Sequence, residues 1–136
     1  MKLVRFLLLI ISVVFCCSCS SDTNEIIPEQ PTTEDVFYVR YVVNCISDDP
    51  NSVKEIHVGT GTGNHITQLP IGKESKWEAT YGPIKSGANA YVSCQSEDKN
   101  DGSIFYARIE VRKNNEPFVL KKEDRGKDIL IKYIMN

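Results

Sequence analysis

Val36-Phe37-Tyr38-Val39-Arg40-Tyr41-Val42-Val43-Asn44-Cys45 sets Phe37, Val39, Tyr41, Val43 and Cys45 on one side of an extended chain and Tyr38, Arg40, Val42 and Asn44 on the other. Period-two alternation carried by aromatic and β-branched residues marks a half-buried strand. Ser47-Asp48-Asp49-Pro50-Asn51 then breaks it with turn-forming residues. The same grammar recurs downstream. Val53 to Val58 reads as a second strand, with Lys54, Ile56 and Val58 on one face. Gly59-Thr60-Gly61-Thr62-Gly63-Asn64 reads as a hairpin tip, and His65 to Leu69 as the returning strand. Trp77 to Tyr81 is a short strand ended by Gly82-Pro83.

Ala88 to Gln95 alternates Ala88, Ala90, Val92 and Cys94 against Asn89, Tyr91, Ser93 and Gln95. The polar run Ser96 to Gly102 predicts a hairpin turn into Ile104 to Arg112, whose Phe105, Ala107, Ile109 and Val111 share a face. Asn114-Asn115 turns the chain into Glu116 to Lys121, and Gly126 precedes a last strand, Asp128 to Met135. No helical period occurs in this region. About seven to eight short, evenly spaced strands predict an all-β fold, a single antiparallel β-sandwich of Ig-like type. The faces carrying Arg40, Lys54, Arg108, Glu110 and Lys132 are expected to be wetted, and the runs Arg112-Lys113 and Lys121-Lys122 to be solvated turns.

The sandwich spans 36–136, about one domain's worth of chain. Ahead of it, Lys2 and Arg5 precede an apolar run from Phe6 to Phe15 that is too short to span a bilayer. Val13-Val14-Phe15-Cys16-Cys17-Ser18-Cys19 follows, and this order resembles the lipobox of bacterial lipoproteins. Cys16 follows bulky Phe15 and Cys17 follows another cysteine, whereas Cys19 follows small Ser18. The resemblance therefore implies a signal-peptide helix over 1–18 and acylation of Cys19. Residues 19–35, polar and interrupted by Pro28 and Pro31, read as a disordered tether.

Ser20, rather than Asp, follows Cys19. By resemblance to Gram-negative lipoproteins, this implies an anchor in the outer membrane, on its periplasmic or cell-surface side. The start Ser20-Ser21-Asp22 also resembles lipoproteins of the Bacteroides group. Several acyl chains on one cysteine anchor stably, since each buried methylene contributes about 0.8 kcal/mol. Loss of Lys2 and Arg5 with the leader takes 16 basic residues to 14 against 18 acids, a net charge of −4. A mildly acidic chain lacks the electrostatic footprint of a nucleic-acid binder.

The order Tyr41-Val42-Val43, Trp77, Ala90-Tyr91-Val92-Ser93-Cys94-Gln95 and Tyr106-Ala107-Arg108-Ile109-Glu110-Val111 is similar to the periplasmic β-sandwich of MmpS-type transport accessory proteins. The likeness runs over most of 38–134. It implies an accessory module beside an envelope or transport system, with the lipid anchor in place of a membrane helix.

Chemistry is sparse. Cys45 and Cys94 fall on inward faces near strand ends and are either bridged, as an oxidising compartment permits, or two separate buried thiols. The glycines at 59, 61 and 63 lack the Lys-Ser/Thr of a phosphate loop. His57 and His65 flank that tip as cross-strand histidines, too few for a zinc site. Asp98, Asn100, Asp101 and Gly102 read as a polar turn rather than a calcium loop. Trp77 and Tyr81, with Tyr38 and Tyr91, are the candidates for a sugar-stacking platform, although Trp77 reads more readily as a core plug. No Gly-x-Ser-x-Gly, Ser-His-Asp signature or placed carboxylate pair points to hydrolysis.

These features predict a non-enzymatic lipoprotein, without cofactor or metal, that meets another envelope protein. The alternative is a small glycan- or ligand-binding surface lipoprotein using the aromatic residues around Trp77.

Overall fold

The alternation in Val36–Ile46 becomes β1, whose inward Phe37, Val39, Tyr41, Val43 and Cys45 are all buried. The computed structural model describes residues 34–136; the leader, Cys19 and most of the tether lie outside them. Seven further strands follow: β2 (Lys54–Gly59), β3 (Asn64–Gln68), β4 (Glu74–Lys85), β5 (Asn89–Ser96), β6 (Ile104–Lys113), β7 (Val119–Gly126) and β8 (Ile129–Ile134). They form two antiparallel four-stranded sheets, in orders β4-β1-β6-β7 and β3-β2-β5-β8. The described chain is therefore an all-β sandwich.

Adding four to each strand number turns the first order into β8-β5-β2-β3, the second order read backwards. Each half of the domain thus gives two strands to each sheet in the same way. Val43-Asn44-Cys45 on β1 and Val92-Ser93-Cys94 on β5 echo one another on the two equivalent central strands. Between the sheets lie Phe105, Ile109, Ile56, Val58 and Val92, all fully buried, with Trp77, Tyr81 and Tyr133 packed around them. Burial of each large apolar side chain stabilises the fold by roughly 1.5–3 kcal/mol.

Four expectations are corrected. First, β5 and β6 do not pair as a hairpin; the 97–103 loop crosses from one sheet to the other, as the equivalent 47–53 loop does. Second, Lys54 is not on a wetted face: it is 3% exposed and points inward. Third, neither basic run is a turn: Arg112-Lys113 end β6 and are only partly exposed, and Lys121-Lys122 lie inside β7. An edge strand exposed along its length holds charge without cost, and charge there discourages edge-to-edge pairing. Fourth, β4 does not stop at Gly82-Pro83 but runs to Lys85 through a cis peptide bond between them.

The β4 path past Tyr81 depends on glycine. Gly82 has φ of +152°, and the β1–β4 register shifts between Phe37 and Val39 opposite it. A Cβ at position 82 would lie 2.5 Å from Tyr38 Cδ1 and 3.0 Å from the Phe37 carbonyl oxygen. Gly82→Ala is therefore expected to destabilise the domain by about 1–3 kcal/mol, read as a lowered urea midpoint with unchanged slope. A midpoint equal to wild type would show that this backbone relaxes freely.

The outer face of the β4-β1-β6-β7 sheet is laced rather than simply wetted. Glu110 bridges Arg40 and Arg108, accepting a 2.6 Å hydrogen bond from Arg40 Nε. The Phe118 ring lies 4.3 Å from the Arg40 guanidinium carbon and 5.2 Å from that of Arg112, which also covers Tyr38 at 4.4 Å. This layer buries Val42 on the outer side and leaves Glu110 only 8% exposed.

Candidate functional site

The tip of the β2–β3 hairpin lies against the end of β4. The tip closes with a 2.8 Å bond from Thr60 N to the Gly63 carbonyl, and Thr60 Oγ1 donates to the same oxygen. Gly61, at φ +82°, lies so close to Ile84 that a Cβ there would come within 2.9 Å of its side chain. Below the tip is an open crevice of about 490 Å³, lined by Thr60, Thr62, Asn64, His65, Tyr81, Gly82 and Pro83.

Strand pairing explains which side chains face it. Val58 pairs with His65, so His65 shares the inward side of its sheet; Val39 pairs with Tyr81, so Tyr81 shares the inward side of the other. The Tyr81 ring centroid lies 6.1 Å from that of His65 and 6.0 Å from that of Tyr41, and both neighbouring rings are tilted to it. Tyr41 is fixed beneath it, since its hydroxyl donates a 2.5 Å bond to the Gly59 carbonyl at the hairpin base. Burial raises the phenol pKa of both tyrosines, so each is a neutral hydroxyl at physiological pH.

The expected aromatic platform is not assembled as a whole. Tyr38 and Tyr91 lie on the outer faces of different sheets. Trp77 is half-buried and packs against the core, while Tyr81 alone of the four reaches the crevice. The two histidines do not share a face. His57 pairs with Ile66 and His65 with Val58, a one-residue offset that turns their rings to opposite sides. His57 lies 3.2 Å from Glu55, and hydrogen bonds from His57 and Gln95 hold the Glu55 carboxyl below its usual range.

At one pole of the sandwich the two equivalent crossing loops meet in a buried polar cluster. Lys54 Nζ reaches Asp101 Oδ2 at 3.1 Å and donates to the carbonyls of Asp49 at 2.6 Å and Ser52 at 2.9 Å. Asp101 also accepts from Ser96 Oγ, Ser103 Oγ and Ser103 N. Burial pushes the Asp101 carboxyl up, but the bonds from Ser103, Ser96 and Lys54 prevail and hold it well below the carboxylate range. All three Lys54 donors are used, which makes the cluster a structural clasp between loops.

Cys45 and Cys94 are free, buried thiols near this pole, on facing sheets. Burial raises both; Lys54 opposes the rise at Cys45, and the neighbouring Cys45 adds to it at Cys94. Among the described residues no group of three or more His, Cys, Asp or Glu side chains is placed to hold a metal ion. Sequence reasoning missed the crevice and the clasp because both depend on which loops meet. The one local signal was Lys54 sitting in phase with Ile56 and Val58.

Comparison with known proteins finds no matching family model, no similar curated protein and no similar solved structure.

Proposed function

We propose that this chain is a non-enzymatic accessory module of the bacterial envelope, anchored in the outer membrane through acylated Cys19, that engages an envelope protein along the free edge of β4. The observation behind this reading is the twelve-residue β4, whose pairing with β1 runs unbroken from Glu74 to Tyr81 while its other side pairs with no described strand. Such an edge accepts an added strand by main-chain hydrogen bonding. The opposite edge is less suited, because the β6–β7 pairing shifts register between Ile109 and Glu110 of β6, and β7 exposes Lys121 to Arg125. Glu74, Lys76 and Glu78 on the outward side of β4 discourage indiscriminate pairing. An envelope or transport partner, as the resemblance implies, would be met at the reach of the tether.

A photo-crosslinking residue at exposed Thr80, in the full chain in cells, is expected to yield one adduct with an envelope protein. The same residue at Glu123 should yield none, and Cys19→Ala should abolish the Thr80 adduct by releasing the anchor. Successive residues of an antiparallel strand direct their N–H groups to opposite sides. Of Glu78→Pro and Ala79→Pro, the variant that keeps the β1 ladder should fold and lose the adduct. Equal adducts from Thr80 and Glu123, or none from Thr80, would overturn this reading.

A second reading, a small glycan- or ligand-binding surface lipoprotein, is favoured by the crevice in which Tyr81 meets His65. Trp77 takes no part in that crevice.

A further inference from the structure

The crevice has the chemistry of a site for a neutral, hydroxylated ring. Its lining contains no Asp, Glu, Lys or Arg. An anion would find no fixed positive charge there, and a cation no carboxylate. An aromatic face is present in Tyr81, steadied from behind by Tyr41 and flanked by His65. Hydroxyl and amide groups are present in Thr62, Asn64 and Tyr81, on the rim around that face. Apolar C–H faces of a sugar ring pack against an aromatic ring, while its hydroxyls exchange hydrogen bonds with short polar side chains. Small-molecule pockets run from roughly 300 to 1,000 Å³. At about 490 Å³ and open to solvent, this one fits the end of a glycan better than a long stretch of it.

We propose that the crevice between the β2–β3 tip and β4 is a saccharide site, with Tyr81 as its stacking face and Asn64 and Thr62 as its hydroxyl-reading rim. The proposal rests on the ligand-binding reading and is independent of strand addition at the β4 edge. The floor is preorganised, because the Tyr41 hydroxyl bond to Gly59 ties the core to the hairpin base. Little ordering is then needed on binding, which favours recognition by a small contact area.

The full chain in detergent is to be tested on an immobilised set of neutral hexose- and N-acetylhexosamine-terminated oligosaccharides, with sialylated and sulfated counterparts as the anionic arm. Binding to members of the neutral arm is expected, weakened about tenfold or more by Tyr81→Ala, a change of about 1.4 kcal/mol or more. Asn64→Ala, at an exposed position that leaves the packing untouched, should weaken it in the same direction. Ser93→Ala, on the outer face of β5, should not change it. Amide shifts in an NMR titration with the best neutral binder should centre on 60–65 and 81–84. Binding of anionic glycans alone, with shifts at the crevice, would overturn the neutral class of saccharide proposed here. No binding in either arm, or neutral binding unchanged by both Tyr81→Ala and Asn64→Ala, would overturn the site itself.

Discussion

Replacing Lys54 with methionine is expected to cost about 3–5 kcal/mol of folding stability, the largest single-residue effect at the loop pole. Methionine fits the stem of the lysine, so the loss lies in the charge and its bonds. Without the ammonium, the Asp101 carboxylate stays buried beside Ser96 and Ser103 with no counter-charge, and the Asp49 and Ser52 carbonyls lose a donor. Asp101→Asn in the same background should restore part of the loss. A neutral amide removes the unpaired charge, and its oxygen can still accept from Ser103 N and Ser103 Oγ. The expected order of stability is therefore wild type, then the double variant, then Lys54→Met, measured by urea unfolding followed by Trp77 fluorescence. A Lys54→Met protein within about 1 kcal/mol of wild type would show that the pair adds nothing net, as surface ion pairs often do.

The same clasp sets an acid limit. The folded Asp101 carboxyl titrates below its unfolded value of roughly 3.9, so the folded state prefers the ionised form. Its contribution is fully present above that unfolded value and is lost as pH falls toward the folded pKa. Stability should therefore begin to decline below about pH 4, and Asp101→Asn should flatten that part of the profile.

Strand content was legible because the alternating residues of β1, β5 and β6 face a dry core on one side, and this is a local pattern. The sheet orders were not, since nothing in the run Ser96 to Gly102 distinguishes a hairpin from an arch. In the arch, Asp101 turns inward to Lys54, a partner on another strand that the local run does not reveal. β7 was hard to read for the opposite reason: Val119 to Arg125 are all exposed, so no burial imposes an alternation on them. At the crevice, Tyr81 was visible as a candidate by its chemistry. Its partner His65 was visible only as a turn-flanking histidine, because facing Tyr81 depends on a one-residue register that sequence does not specify. Trp77 and Tyr81 share a face of one strand, yet only the position nearer the hairpin tip opens to solvent in a cavity.

Cys94 in the native domain is expected to react with a thiolate-selective reagent about a hundredfold or more slower than an unperturbed thiol, because its side chain is fully buried and burial disfavours the thiolate. Its pKa is pushed up to about 12, by burial first and by nearby Cys45 second. A thiol near 9 is ionised in about one molecule in a hundred at pH 7, and one near 12 in about one in a hundred thousand; the thiolate is the reacting species. Cys45 is raised in the same direction, with Lys54 beside it moderating the rise. Oxidation to a bridge proceeds through the same thiolate, so the folded domain is expected to resist it even in an oxidising compartment. Domain refolded in reductant and then exposed to oxidised glutathione should keep both thiols, shown by an unchanged intact mass. Added urea should expose both to iodoacetamide at the rate of free cysteine. Labelling of the native protein at that rate, or a native mass two hydrogens lighter after the oxidant, would mean that this pole opens readily.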